Sequence, residues 1–150
     1  MNIRGLASAR AVWWAQRAAS HTKADLAAAT LDELVVLQPP ALPRCCRRWV
    51  AATLRARRDT CLVRSAVLQA WDADHGRPRD LVIGVTAPSA GFKAHAWLDG
   101  EPASVSAGYV EISRRPPAVA PQGPPAVPVE SGGQDRQQAV DEAREVGPHP

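Results

Sequence analysis

The chain has 150 residues and a net charge of +3, about one domain's worth, and no apolar run approaches the roughly 18 residues that read as a membrane span. Eight of the fourteen prolines lie beyond Arg115 in a stretch almost without large apolar side chains. Roughly 115 residues are left to build a single core. Residues 1–115 carry a net +6 and residues 116–150 a net −3, so a basic body precedes a mildly acidic tail. Such a body suits nucleic acid, an acidic peptide or an acidic partner protein.

Three cysteines, two of them adjacent at Cys45 and Cys46, match neither a disulfide framework nor a zinc-ligand spacing. No metal is expected, and the chain reads as intracellular and reduced. The apolar stretch Ala11–Ala15 is too short for a signal-peptide core.

In chain order, residues 2–19 are Ala/Arg-rich around Trp13 and Trp14 and predict a short amphipathic helix anchored by the Trp pair. A second helical stretch is expected from Asp25 to Leu37, stopped by Pro39, Pro40 and Pro43. Arg44 to Arg58 holds six arginines and no acid. Its Cys46, Trp49, Val50, Thr53 and Leu54 fall at 3/4 spacing, so one face packs and the other is solvated. The clearest helix follows, capped by Asp59 or Thr60, with Leu62, Val63, Ala66, Val67, Ala70 and Trp71 as its apolar stripe and Gly76 as its stop.

The period then changes. Leu81–Val85 reads as a buried strand and Phe92–Leu98 as a second. Asp99-Gly100 signals a two-residue hairpin turn into a third strand, from about Glu101 to Ile112. Helices followed by strands, with no βαβ alternation, argue for an α+β fold with an antiparallel sheet. Residues 1–115 form the expected domain. Residues 116–150 are Pro/Gly-rich and expected to be disordered, with a weak isolated helix over 135–146.

Cys61 falls in the opening turn of the best helix, where unpaired backbone N–H groups and the helix dipole favour the thiolate. His95 lies mid-strand between Ala94 and Ala96. A helix bearing Cys followed by a strand bearing His is the order used by cysteine hydrolases of the papain and transglutaminase type. Spacing alone leaves the ordinary readings open: free cysteine packs as a small hydrophobe, and a strand histidine is commonly structural.

The wording of the sequence adds to this. Cys61-Leu62-Val63-Arg64-Ser65-Ala66, then RPRDLVIGVTAP over 77–88, then GFKAHAWLDGEP over 91–102, together resemble the leader peptidases of lasso-peptide biosynthesis. These are transglutaminase-like cysteine proteases, the protease half of the B protein. The likeness is close over residues 59–102 and looser before them. It implies a cytoplasmic enzyme that cuts the leader from a ribosomal precursor through a Cys61 thioester, with His95 as general acid and base and no cofactor. It also implies a cyclase as partner. A separate leader-recognition protein is expected too, since the chain is too short to carry that module.

The family's third member, an acid about twelve positions after the His, is missing, because residues 102–110 contain no acid. A hairpin at Asp99-Gly100 would pair His95 with Ser104, which then inherits the orienting position. Asp99 itself stands roughly 13 Å away along the strand, out of reach of the imidazole. Arg64 is a candidate for a substrate carboxylate, and Trp97, sharing the face of His95, for a wall of the cleft. Two rival readings remain: a catalytically lapsed homologue acting as a scaffold, and an Arg-rich nucleic-acid binder in which Trp49 stacks on a base.

Overall fold

The computed structural model describes residues 3–117. Apart from Pro116 and Pro117, the expected disordered tail, with its weak helix, lies outside the described residues. The elements run α1 (Ile3–Ala28), a 3₁₀ turn (Arg44–Cys46), α2 (Arg47–Ala56), α3 (Cys61–Asp74), β1 (Leu81–Thr86), a second 3₁₀ turn (Pro88–Ala90), β2 (Ala94–Leu98), α4 (Ala103–Ser106) and β3 (Tyr109–Arg115). Helices first and a small antiparallel sheet after them is the α+β arrangement expected from the change of period.

The first helix is longer than its apolar pattern suggests. Nothing between Ala19 and Asp25 breaks it, and the His21–Asp25 pair at 3.0 Å supports the extra turn. The second expected helix does not form. Thr30 and Glu33 make a single turn, in which the Glu33 carboxylate accepts from the Thr30 N–H and hydroxyl at 3.2 and 3.0 Å. The chain must then be extended ahead of Pro39, so the turn does not propagate.

The third helical stretch and the fourth form nearly as expected. Thr60 caps α3, its hydroxyl accepting from Val63 N–H. At the other end Gly76 takes φ +72°. There Arg77 N–H bonds to Asp72 C=O and Gly76 N–H to Ala73 C=O, the paired bonds of a Schellman stop.

α3 is the shared wall of two cores. On one side Val63, Val67 and Trp71 meet Ala11, Trp14, Ala15, Ala18 and Ala19 of α1 and Cys46, Val50 and Leu54 around α2. Alanines let α1 approach closely, and Trp14 fills the seam, 5.4 Å from the ring of Trp71, with its indole N–H on Gln38 C=O. Only Trp14 of the expected Trp pair is an anchor. Trp13 is exposed beneath the Arg17 guanidinium. Trp49, expected inward, is also exposed. On its other side α3 packs Ala66 against Leu81, Ala96 and Leu98 of the sheet.

The sheet has the order β2-β1-β3, antiparallel throughout. This corrects the expected hairpin. The Asp99-Gly100 turn forms, but Pro102 leads the chain into the single helical turn of α4. Gly108, at φ +81°, then helps return it to the far edge of β1. The third strand therefore begins at Tyr109 and pairs with β1, not with β2.

Two ion clusters fasten the layers. Buried Asp72 accepts four N–H bonds from Arg47 and Arg79, at 2.6 to 3.2 Å, tying α2 and the approach to β1 onto α3. These bonds hold the Arg47 proton more firmly than usual, against the opposing effect of its burial. Arg114 gathers Asp80, Asp99 and Glu111 on the sheet.

Candidate active site

Cys61 is the first residue of α3 and half-buried. Four residues on, buried Ser65 donates its hydroxyl to Ala96 C=O at 3.0 Å. Four further on, Gln69 donates to Arg79 C=O and Arg115 C=O at 2.9 and 3.0 Å. Residues i, i+4 and i+8 share one stripe of a helix, so two hydrogen-bonded points fix how α3 runs along the sheet. From Ser65 to Gln69 the stripe passes from Ala96 toward the Leu81–Leu98 end. Cys61, one turn before Ser65, packs against the core cluster that holds Ala66, Ala96 and Leu98.

His95 is half-buried and opposite Gly84 in the ladder. Alternation along β2 sends Ala96 and Leu98 toward α3 and His95 and Trp97 to the other face. There the imidazole stands 5.1 Å from the ring of Tyr109 and 6.0 Å from that of Trp97, centroid to centroid. Trp97 lies over Gly84, where a Cβ would come within 2.7 Å of the indole and 2.9 Å of Val110 C=O. The glycine is what lets the indole lie flat.

Along the outer edge of β2 runs a cleft of about 160 Å³, lined among others by Leu54, Arg55, Arg64, Ser65, His95 and Glu101. Arg64 is half-buried, and neither it nor Arg55 is ion-paired to a described carboxylate. Trp97 shares the face of His95, as alternation requires, but is not among the residues lining this cleft.

Ser104 does not reach the position the hairpin would have given it. It lies exposed in α4, because the 101–108 segment leaves the sheet plane, and it makes no hydrogen bond to the imidazole. Asp99 is taken up by Arg114, as is Glu111, whose carboxyl is held below its usual range by the Arg114 guanidinium. Among the described residues no side chain hydrogen-bonds His95, and the Cys61 thiol and the imidazole are not in hydrogen-bond contact. Nor do the described residues contain a metal-holding cluster of His, Cys, Asp and Glu. None of their helices is long and apolar enough to cross a membrane.

The arginine face proposed for nucleic acid is partly spent inside the fold. Arg47 serves Asp72, and Arg57 serves Asp59 and Ser20. Arg48 lies over the ring of Trp49.

Sequence reasoning missed Tyr109, the ring nearest His95, since the third strand was placed one segment too early. It also assigned Ser65 no role of its own. The available signal was its position four residues after Cys61. A family model described as the transglutaminase-like superfamily, Transglut_core3, matches residues 3–115, which bears out the resemblance at the level of the family. No curated protein and no solved structure matches the chain.

Proposed function

The chain belongs to the transglutaminase-like superfamily, and from that premise we propose that it is a cysteine peptidase removing the leader from a lasso-peptide precursor. Cys61 is the nucleophile and His95 its base. The observation that supports this reading most is the Ser65–Ala96 hydrogen bond, which ties the helix that Cys61 opens to the residue following His95.

The chemistry runs in two halves. His95 takes the Cys61 proton as sulfur attacks the carbonyl carbon of the last leader residue. The backbone N–H groups of Cys61 and Leu62, the first-turn donors that the Thr60 cap leaves free, receive the oxyanion. Collapse of the tetrahedral intermediate breaks the C–N bond, and the imidazolium gives its proton to the leaving amine of the core peptide. Water, deprotonated by His95, then hydrolyses the thioester and frees the leader. To reach the sulfur the imidazole must swing from its place beside Trp97 and Tyr109 round the edge of β2 to the side that faces α3. Arg64, free of an ion pair in the cleft, is the group to meet a substrate carboxylate, and Trp97 supports the resting imidazole. No cofactor enters these steps. A separate leader-recognition protein and a cyclase are the partners this task requires, in the cytoplasm, with residues 1–115 as the catalytic domain.

A second reading has an observation in its favour. Among the described residues no carboxylate orients His95, as expected of a homologue that has lost turnover and serves the maturation complex as a scaffold. Mass spectrometry of the cognate precursor, mixed with its recognition partner and this protein, separates the two. Cleavage at one leader–core junction, lost in Cys61→Ala and in His95→Ala, is expected of the peptidase. Intact precursor with partner binding preserved refutes it and leaves the scaffold.

A further inference from the structure

The outer edge of β2 is only partly closed. Asp99 N–H bonds to Asp80 C=O and Thr86 N–H to Lys93 C=O, each at 2.9 Å, so the odd-numbered residues of this strand turn their backbone groups toward β1. Ala94, Ala96 and Leu98 therefore turn theirs outward. The Leu98 pair is satisfied by Glu101, whose carboxylate accepts from the N–H and whose own N–H bonds to the C=O. Ala96 C=O is taken by Ser65. The Ala96 N–H and both groups of Ala94 have no partner among the described residues. Ala96 and His95 line the cleft that also holds Arg55, Arg64 and Glu101, and neither guanidinium is ion-paired to a described carboxylate, the Glu101 side chain accepting from Leu98 N–H instead.

We propose that this open edge, Ala94 to Ala96, binds an extended acidic peptide segment as an added strand, with Arg55 and Arg64 taking its carboxylate. Three unpaired backbone groups in a row are the template that strand addition uses, and alternate side chains of the added strand then face the cleft. The edge accepts one short segment, because Ser65 and Glu101 end the free run on the Leu98 side. Naming the occupant as the substrate rests on the peptidase reading. The edge itself does not rest on it.

The probe is a fluorescent, end-capped Thr/Val heptapeptide with one central Glu, titrated against full-length Cys61→Ala protein by anisotropy. Methylating every second backbone nitrogen gives two peptides, one with its edge-facing N–H groups blocked and one with the outward-facing groups blocked. One phase is expected to lose at least tenfold in affinity while the other stays within twofold. Changing the central Glu to Lys should cost at least fivefold. Ala94→Pro, which removes an outward N–H and is tolerated on an edge strand, should cost at least tenfold. Because the methylated peptides leave the protein untouched, misfolding of the Pro variant does not decide the outcome. Equal affinity of the two phases, or no binding of the parent peptide, overturns the proposal. Phase-dependent binding with no precursor cleavage by wild type would refute the peptidase and leave the edge standing. Cleavage with equal phases would do the reverse.

Discussion

Removing the Ser65 hydroxyl tests how the helix is aligned on the sheet. Ser65→Ala deletes one buried hydrogen bond and leaves Ala96 C=O without its partner. An orphaned buried acceptor costs about 1–3 kcal/mol. The carbonyl borders the cleft, where water can approach, so the low end applies, about 1 kcal/mol, or a fall of about 4 °C in Tm. Gln69 still fastens the other end of α3, so the helix stays docked but its first turn is free to shift. A displacement of about 1 Å at reacting atoms costs on the order of a hundredfold. Peptide cleavage by Ser65→Ala should therefore lose tenfold to a hundredfold in kcat with KM little changed, and Ser65→Thr, which keeps a hydroxyl, should recover most of it. Iodoacetamide labelling of Cys61 serves as the control and should stay within a few fold of wild type. A variant that loses about 1 kcal/mol of stability yet cleaves at the wild-type rate would refute the alignment argument, since the hydroxyl would then be merely one more buried hydrogen bond.

Asp72→Ala removes the acceptor of four charge-assisted bonds from a buried site. Because Arg47 and Arg79 are partly exposed and can turn to water, the loss should sit near about 3 kcal/mol in denaturant titration, and a value below about 1 would mean the cluster fastens nothing. Gly84→Ala drives a methyl into Trp97 and Val110 C=O. It should cost about 2 kcal/mol and shift Trp fluorescence as the indole lifts, whereas an unchanged spectrum would contradict the close approach. The three thiols should label in the order Cys45, Cys61, Cys46, from exposed to buried, with Cys46 reacting only as the protein unfolds. Mass spectrometry of timed quenches reads that order, and early modification of Cys46 would contradict its burial.

How far the sequence disclosed this molecule depended on whether a feature was local. α3 could be read whole because its cap, stripe and Gly76 stop lie within one continuous segment. That Cys61 opens a helix and His95 lies in a strand was legible for the same reason, each being defined by its own element. The path of residues 101–108 was not legible, because a strong Asp99-Gly100 signal says that the chain turns but not which edge it next joins. Pro102 decided that, and with it the fate of Ser104 and the arrival of Tyr109 at the imidazole. The continuous α1 escaped notice since its buried face is built of alanines, which carry little apolar contrast. The Asp72 cluster joins residues 25 and 7 positions apart, a pairing that no periodicity encodes.

The far side of the sheet has a consequence for handling the protein. β3 shows Val110 and Ile112 largely exposed, beside an irregularity in its register with β1 at Ile83/Gly84. A flat apolar strand in that place would invite a second copy to lie alongside it and begin a stack. The register shift kinks the strand, and Glu111 and Arg114 set opposite charges along it, so an incoming copy would meet desolvated ions before it met hydrophobic surface. Glu111 and Arg114 thus guard this strand against pairing with a second copy. Neutralising both would convert a guarded margin into a nucleus for association without touching the thiol or the imidazole.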